Sequence, residues 1–68
     1  MKQVSGKEFA KILEQHGWKL SRIKGSHHIY VNKKLKQIIS LPIHGNKPLS
    51  PGILKGMMKI SGISEEDI

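Results

Sequence analysis

Two helix-start signatures stand near opposite ends of this chain, and the stretch between them reads as strand. Near the N-terminus, Ser5 and Glu8 have the spacing of a capping box, in which each side chain satisfies the other's free backbone N–H. Val4 can pack across that cap onto Phe9. Phe9, Ile12 and Leu13 then share one helical face, and Gly17 supplies the stop. His16 falls in the last turn, where a cation suits the negative end of the helix. Near the C-terminus, Ser50 caps, Pro51 takes the first helical position and Leu49 can pack onto Leu54. Ile53, Leu54, Met57 and Ile60 recur at helical spacing before Gly62, with Gly56 inside the helix costing about 1 kcal/mol against alanine. Ser64-Glu65-Glu66-Asp67 reads as one more short capped turn.

Between these helices, β-branched runs dominate. WKLSRIK alternates apolar and polar through Trp18 and Leu20, then loses phase near Arg22 and Ile23. His28 to Asn32 and Gln37 to Leu41 read as two further strands, joined by a short polar turn, Asn32-Lys33-Lys34. Pro42, which cannot donate to a ladder, ends the third strand, and the loop IHGNKP follows. The order is α-β-β-β-α. Two amphipathic helices can cover one face of a three-stranded antiparallel sheet, which makes an α+β sandwich with the second sheet face open. Its 68 residues make one domain, 1–68.

Charge narrows the partners. Twelve Lys and Arg stand against five Asp and Glu, a formal net charge of +7. All five acids lie near the ends: Glu8, Glu14, Glu65, Glu66 and Asp67. The stretch from Gln15 to Ser64 holds no carboxylate but carries Lys19, Arg22, Lys24, Lys33, Lys34, Lys36, Lys47, Lys55 and Lys59. A field this one-sided attracts polyanions, nucleic acid first. The chain has no cysteine, so disulfides and thiolate metal sites are excluded. It has no apolar run long enough for a membrane span, and Met1-Lys2-Gln3 leads straight to a capped helix; a soluble, cytoplasmic protein is expected.

The segment KGSHHIYV, residues 24 to 31, carries the chemistry. His27 and His28 are adjacent at a strand start, so they point to opposite faces and cannot both grip one ion. With the acids confined to the ends, a carboxylate-bound metal centre is not expected, and no cofactor is called for. Base stacking is also poorly served. The aromatics are Phe9, Trp18 and Tyr30; Phe9 belongs to a core face, Trp18 suits a core anchor, and Tyr30 can go either way. A histidine that titrates near neutrality can take the proton of an RNA 2′-hydroxyl, with nearby cations steadying the phosphorane. That needs no metal. Adjacent histidines at a strand edge are more often plain surface than catalytic, and from the residues alone the choice between His27 and His28 stays open. His44, beside Gly45 and Asn46 in the loop after strand three, is a second acid–base candidate.

These residues resemble the HicA family of toxins, mRNA interferases of prokaryotic toxin–antitoxin pairs. The likeness runs through HGW at the end of helix one, KGSHHIYV, LPIHGNKPLSPGILK and the closing SGIS. It implies a double-stranded-RNA-binding-domain-like fold, an endoribonuclease acting on mRNA without a metal or the ribosome, and a HicB-type antitoxin partner that blocks the active surface. In the family the catalytic histidine directly follows the Gly-Ser pair, which is His27 here, with Gly25 and Ser26 in the same motif. Lys24, Gly25, Ser26, Lys33, Lys34 and Lys47 are expected to meet phosphate, and His44 to be a possible second acid–base group. Ile53, Gly56 and Met57 depart from the family's usual second helix. The alternatives are a non-catalytic RNA-binding module of the same fold and a small DNA-binding protein; the helices lack helix-turn-helix spacing, which disfavours the second.

Overall fold

The structure, a computed structural model, describes residues 3–68. The reading of Met1 and Lys2 as a short lead-in lies outside the described residues. The order is α1 (Gly6–Gln15), β1 (Lys19–Lys24), β2 (His27–Asn32), β3 (Gln37–Pro42), α2 (Pro51–Ser61) and a closing 3-10 turn, Glu65–Asp67. The strands are antiparallel in the order β1-β2-β3. This is the α-β-β-β-α arrangement expected from the punctuation at both ends.

Local chemistry sets the helices. Ser5 Oγ accepts from the Glu8 N–H at 3.2 Å, and Glu8 Oε1 accepts from the Ser5 N–H at 3.1 Å, completing the capping box. Ser50 Oγ accepts from the Ile53 N–H at 3.4 Å, and Gly62 closes α2 with a left-handed φ of 74°. Gly6 has a different role. A Cβ there would stand 2.6 Å from the Pro42 carbonyl oxygen, so the first turn of α1 is pressed against the end of β3. The Leu49 N–H donates to the Val4 carbonyl at 2.7 Å, tying the chain before α1 to the loop before α2.

The core lies between the helices and one sheet face. Phe9 and Leu13 from α1, Trp18, Tyr30 from β2, Ile39 and Leu41 from β3, and Leu54 and Met57 from α2 are among its buried members. Tyr30 therefore faces inward. Its hydroxyl donates to Glu14 Oε2 at 2.9 Å, and burial together with that carboxylate pushes its pKa up to about 12. It offers no platform for a base.

Helix α2 differs from the expectation. Leu54, Met57 and Ser61 form its buried side, while Ile53 and Ile60 remain 47% and 44% exposed. Ile53 and Ile60, seven residues apart, share one flank of α2 beside the buried stripe, and that flank is in solvent. The β2–β3 turn is also longer than Asn32-Lys33-Lys34. Asn32 pairs with Gln37, which leaves residues 33–36 as the turn. Lys36 takes a φ of 54°, and Asn32 Oδ1 accepts from the Leu35 N–H at 3.0 Å.

The loss of phase in WKLSRIK is a β-bulge. Leu20 pairs with Tyr30 and Arg22 with Ile29, leaving Ser21 as the extra residue. Pattern period is two, so one inserted residue moves everything after it to the other face. Before the bulge Leu20 lies on the helix-covered face. After it Ile23 does, opposite His28. Lys19, Arg22 and Lys24 consequently all lie on the open face, opposite Val31, Ile29 and His27.

Candidate active site

The site begins with a two-residue hairpin turn. Lys24 and His27 are cross-strand partners, so Gly25 and Ser26 alone connect β1 to β2. Gly25 has a φ of +61°, and Ser26 is not among the residues with positive φ. A left-handed first position followed by an ordinary second is the type II′ pattern, which matches strand twist and favours glycine at the first place. The Ser26 carbonyl accepts from the Ile43 N–H at 2.8 Å, which fastens the turn to the segment leaving β3.

His27 opens β2 on the uncovered face and is exposed. Its Nδ1 lies 3.1 Å from Ser40 Oγ of β3. The register explains the meeting: His27 pairs with Pro42 and Ile29 with Ser40, so Ser40 is the diagonal neighbour on the same face. With Nδ1 engaged by the hydroxyl, Nε2 is the ring nitrogen left for a ligand. His28 points the other way, half-buried, and its Nδ1 has no hydrogen-bond partner. The pair therefore divides into one outward ring and one inward ring.

Around His27 the open face is basic along one edge and apolar at its floor. Lys24 is its direct cross-strand neighbour, Arg22 stands two pairs further on, and Lys19 lies beyond. Ile29 and Val31 are half-buried on this face, and Ile38, paired with Val31, is 64% exposed. An imidazole held by a hydroxyl thus stands beside a line of cations, on a face that no helix covers.

The family model described as HicA toxin of bacterial toxin–antitoxin matches residues 6–63. The chain belongs to the HicA toxin family. No curated protein matches it. The matched span takes in both long helices, all three strands and the whole of the KGSHHIYV segment, so the membership bears out the likeness drawn from those residues.

The remaining expected residues of this HicA-family chain fall in two other places. His44 and Lys47 share a small cleft of about 160 Å³ with Pro42, Leu49, Ser50 and Ile53 at the start of α2. Pro42 links that cleft to His27, since the two are paired across the strands. Lys33 and Lys34 lie in the β2–β3 turn, beyond the end of β2 opposite His27, with Lys33 about 20 Å away at the usual rise per residue. Among the described residues, no group of three or more His, Asp or Glu side chains comes together to hold a metal ion, and no helix is long and apolar enough to cross a membrane.

Ser40, Arg22 and Lys19 were not singled out by their sequence context. Arg22 and Lys19 carried a signal, the broken alternation of β1, because a bulge is the simplest way to put Leu20 and Ile23 on one face and Lys19, Arg22 and Lys24 on the other. Ser40 carried none, since its proximity to His27 depends on the β2–β3 register.

Proposed function

We propose that this HicA-family chain is a metal-independent endoribonuclease that cleaves mRNA, with His27 as general base, and that a HicB-type antitoxin neutralises it by covering the open sheet face. The observation that carries the reading is the exposed His27 ring whose Nδ1 is engaged by Ser40 while Lys24 stands across from it. In the neutral ring, an Nδ1–H donating to Ser40 leaves the lone pair on Nε2. That nitrogen takes the 2′-hydroxyl proton, and the 2′-oxygen attacks the adjacent phosphorus. The bond to the 5′-oxygen of the next nucleotide breaks, giving a 2′,3′-cyclic phosphate and, once that oxygen is protonated, a 5′-hydroxyl. Water or His44 can supply the proton.

Cations supply the second part of the mechanism. Charge accumulates on the phosphorane oxygens, and Lys24 and Arg22 are placed along the strand beside His27 to oppose it. Gly25 and Ser26 form the tight turn that sets Lys24 against His27, and Lys47 adds positive potential beside His44. An antitoxin with an acidic rim and an apolar centre would complement the same face, where Ile38 sits exposed in the same row of the sheet as Lys19.

His27→Ala tests the assignment. General base catalysis is worth about 10²–10⁴-fold, so cleavage of RNA in the presence of a chelator falls by that factor while RNA binding persists. A variant that cuts at the unmodified rate overturns the base assignment. A wild-type protein that binds RNA and never cuts it makes the domain a non-catalytic RNA-binding module instead.

A further inference from the structure

A cleft of about 310 Å³ opens at the far end of the sheet, where α1 ends, β1 begins and β2 turns into β3. His16, Lys19, Lys33 and Lys34 bring positive or titratable groups to its lining, Val31 and Asn32 contribute from β2, and no carboxylate lines it. The Asp67 carboxylate is engaged elsewhere: it accepts from the Ser64 N–H and hydroxyl at 3.0 and 3.1 Å, which hold its pKa below the usual carboxylate value. Asn32 is a built element of this cleft. It is only 8% exposed, and its Oδ1 is occupied by the Leu35 N–H. Its NH2 end makes no hydrogen bond among the described residues, which leaves two donors at the cleft wall.

The bulged strand connects this cleft with His27. Lys24, Arg22 and Lys19 lie on the open face in that order, from the His27 end toward the cleft that Lys19 itself lines. The bulge absorbs one residue, so Lys24 to Lys19 spans the four steps from His27 to Val31 on the paired strand, about 13 Å. One nucleic-acid strand at its stacked spacing of about 3.4 Å covers that in about four nucleotides, and an extended strand in fewer. The reaction at His27 uses one phosphate and has no need of charge so far away. A polyanion crossing the face has.

We propose that the cleft is a second phosphate subsite, holding the RNA backbone several nucleotides from the scissile bond, so that affinity rises with strand length until the strand reaches it. The inference rests on the reading of the open face as an RNA surface and adds to it a minimum substrate length.

The test uses full-length His27→Ala protein, so that RNA is bound and not consumed, and fluorescence anisotropy with random-sequence RNA pools of about three and about ten nucleotides. The longer pool binds roughly tenfold tighter, in line with a few solvent-exposed charge contacts. Adding Lys33→Gln and Lys34→Gln removes most of that gain and lowers the slope of log affinity against log salt by about 1.4 on the long pool, at about 0.7 per lost contact. Lys55→Gln with Lys59→Gln, which removes equal charge from exposed positions on α2, keeps the length dependence. A length gain that survives in the Lys33/Lys34 variant, or that the α2 pair abolishes equally, overturns the subsite. If neither pool binds at all, the RNA-surface reading falls with it. If wild-type protein cuts RNA but the two pools bind alike, only the subsite is lost.

Discussion

Replacing Ser40 with alanine removes one hydroxyl from an exposed position of β3 and with it the partner of His27 Nδ1. The bond is 3.1 Å long and joins neutral groups at the surface, so its net worth lies near 0.5–1.5 kcal/mol. If all of it serves to hold the ring in one orientation and one tautomer, the loss in kcat/KM is about 2- to 13-fold, at 1.36 kcal/mol per decade. That is well short of the 10²–10⁴ expected for loss of the base itself. Folding is barely touched, because a surface change of this kind stays within about 0.5 kcal/mol. Cleavage of a fluorogenic RNA across the pH range, followed with Ser40→Ala and Ser40→Thr, reads the effect. Threonine keeps the hydroxyl and restores most of the rate. Ser40→Ala at the wild-type rate would show that the ring needs no positioning. A loss as deep as that of His27→Ala would mean that Ser40 takes part in the chemistry.

Two other outcomes follow from the same coordinates. Deleting Ser21 closes the bulge and would turn the residues on one side of it to the wrong face, so thermal unfolding shows severe destabilisation, whereas Ser21→Ala stays within about 0.5 kcal/mol. Tyr30 carries a pKa raised to about 12 from 10.0 by burial and by Glu14, so its neutral form is favoured in the folded state. That contribution is complete below pH 10 and fades as pH rises toward 12; denaturant titrations show a gap between wild type and Tyr30→Phe that narrows over this window. A gap that stays constant refutes the assignment.

What could be read from the sequence was what is local. The Ser5–Glu8 box, the Ser50-Pro51 start and the Gly62 stop depend on neighbours within one turn, and all three stand in the structure. The opposite facing of His27 and His28 follows from strand geometry alone, and so it was also legible. What required register was not. A single extra residue at Ser21 looks, in sequence, like lost alternation and no more, yet it decides which face Arg22 and Lys24 occupy. The inward turn of Tyr30 brings its hydroxyl to Glu14, sixteen positions away. Ile53 and Ile60 fit the helical period, but which stripe of α2 packs inward is set by tertiary contacts, and they lie beside the buried stripe of Leu54, Met57 and Ser61.

The central claim is that the RNA supplies its own nucleophile at a phosphate beside His27. The most direct measurement follows one RNA, in its natural form and with a 2′-deoxy substitution at the mapped cleavage position, in the presence of a chelator, with mass spectrometry of the fragments. Cutting of the natural strand alone, with a 2′,3′-cyclic phosphate on the upstream fragment, is the result expected. Equal cutting of both strands, or fragments ending in a 5′-phosphate, would contradict it.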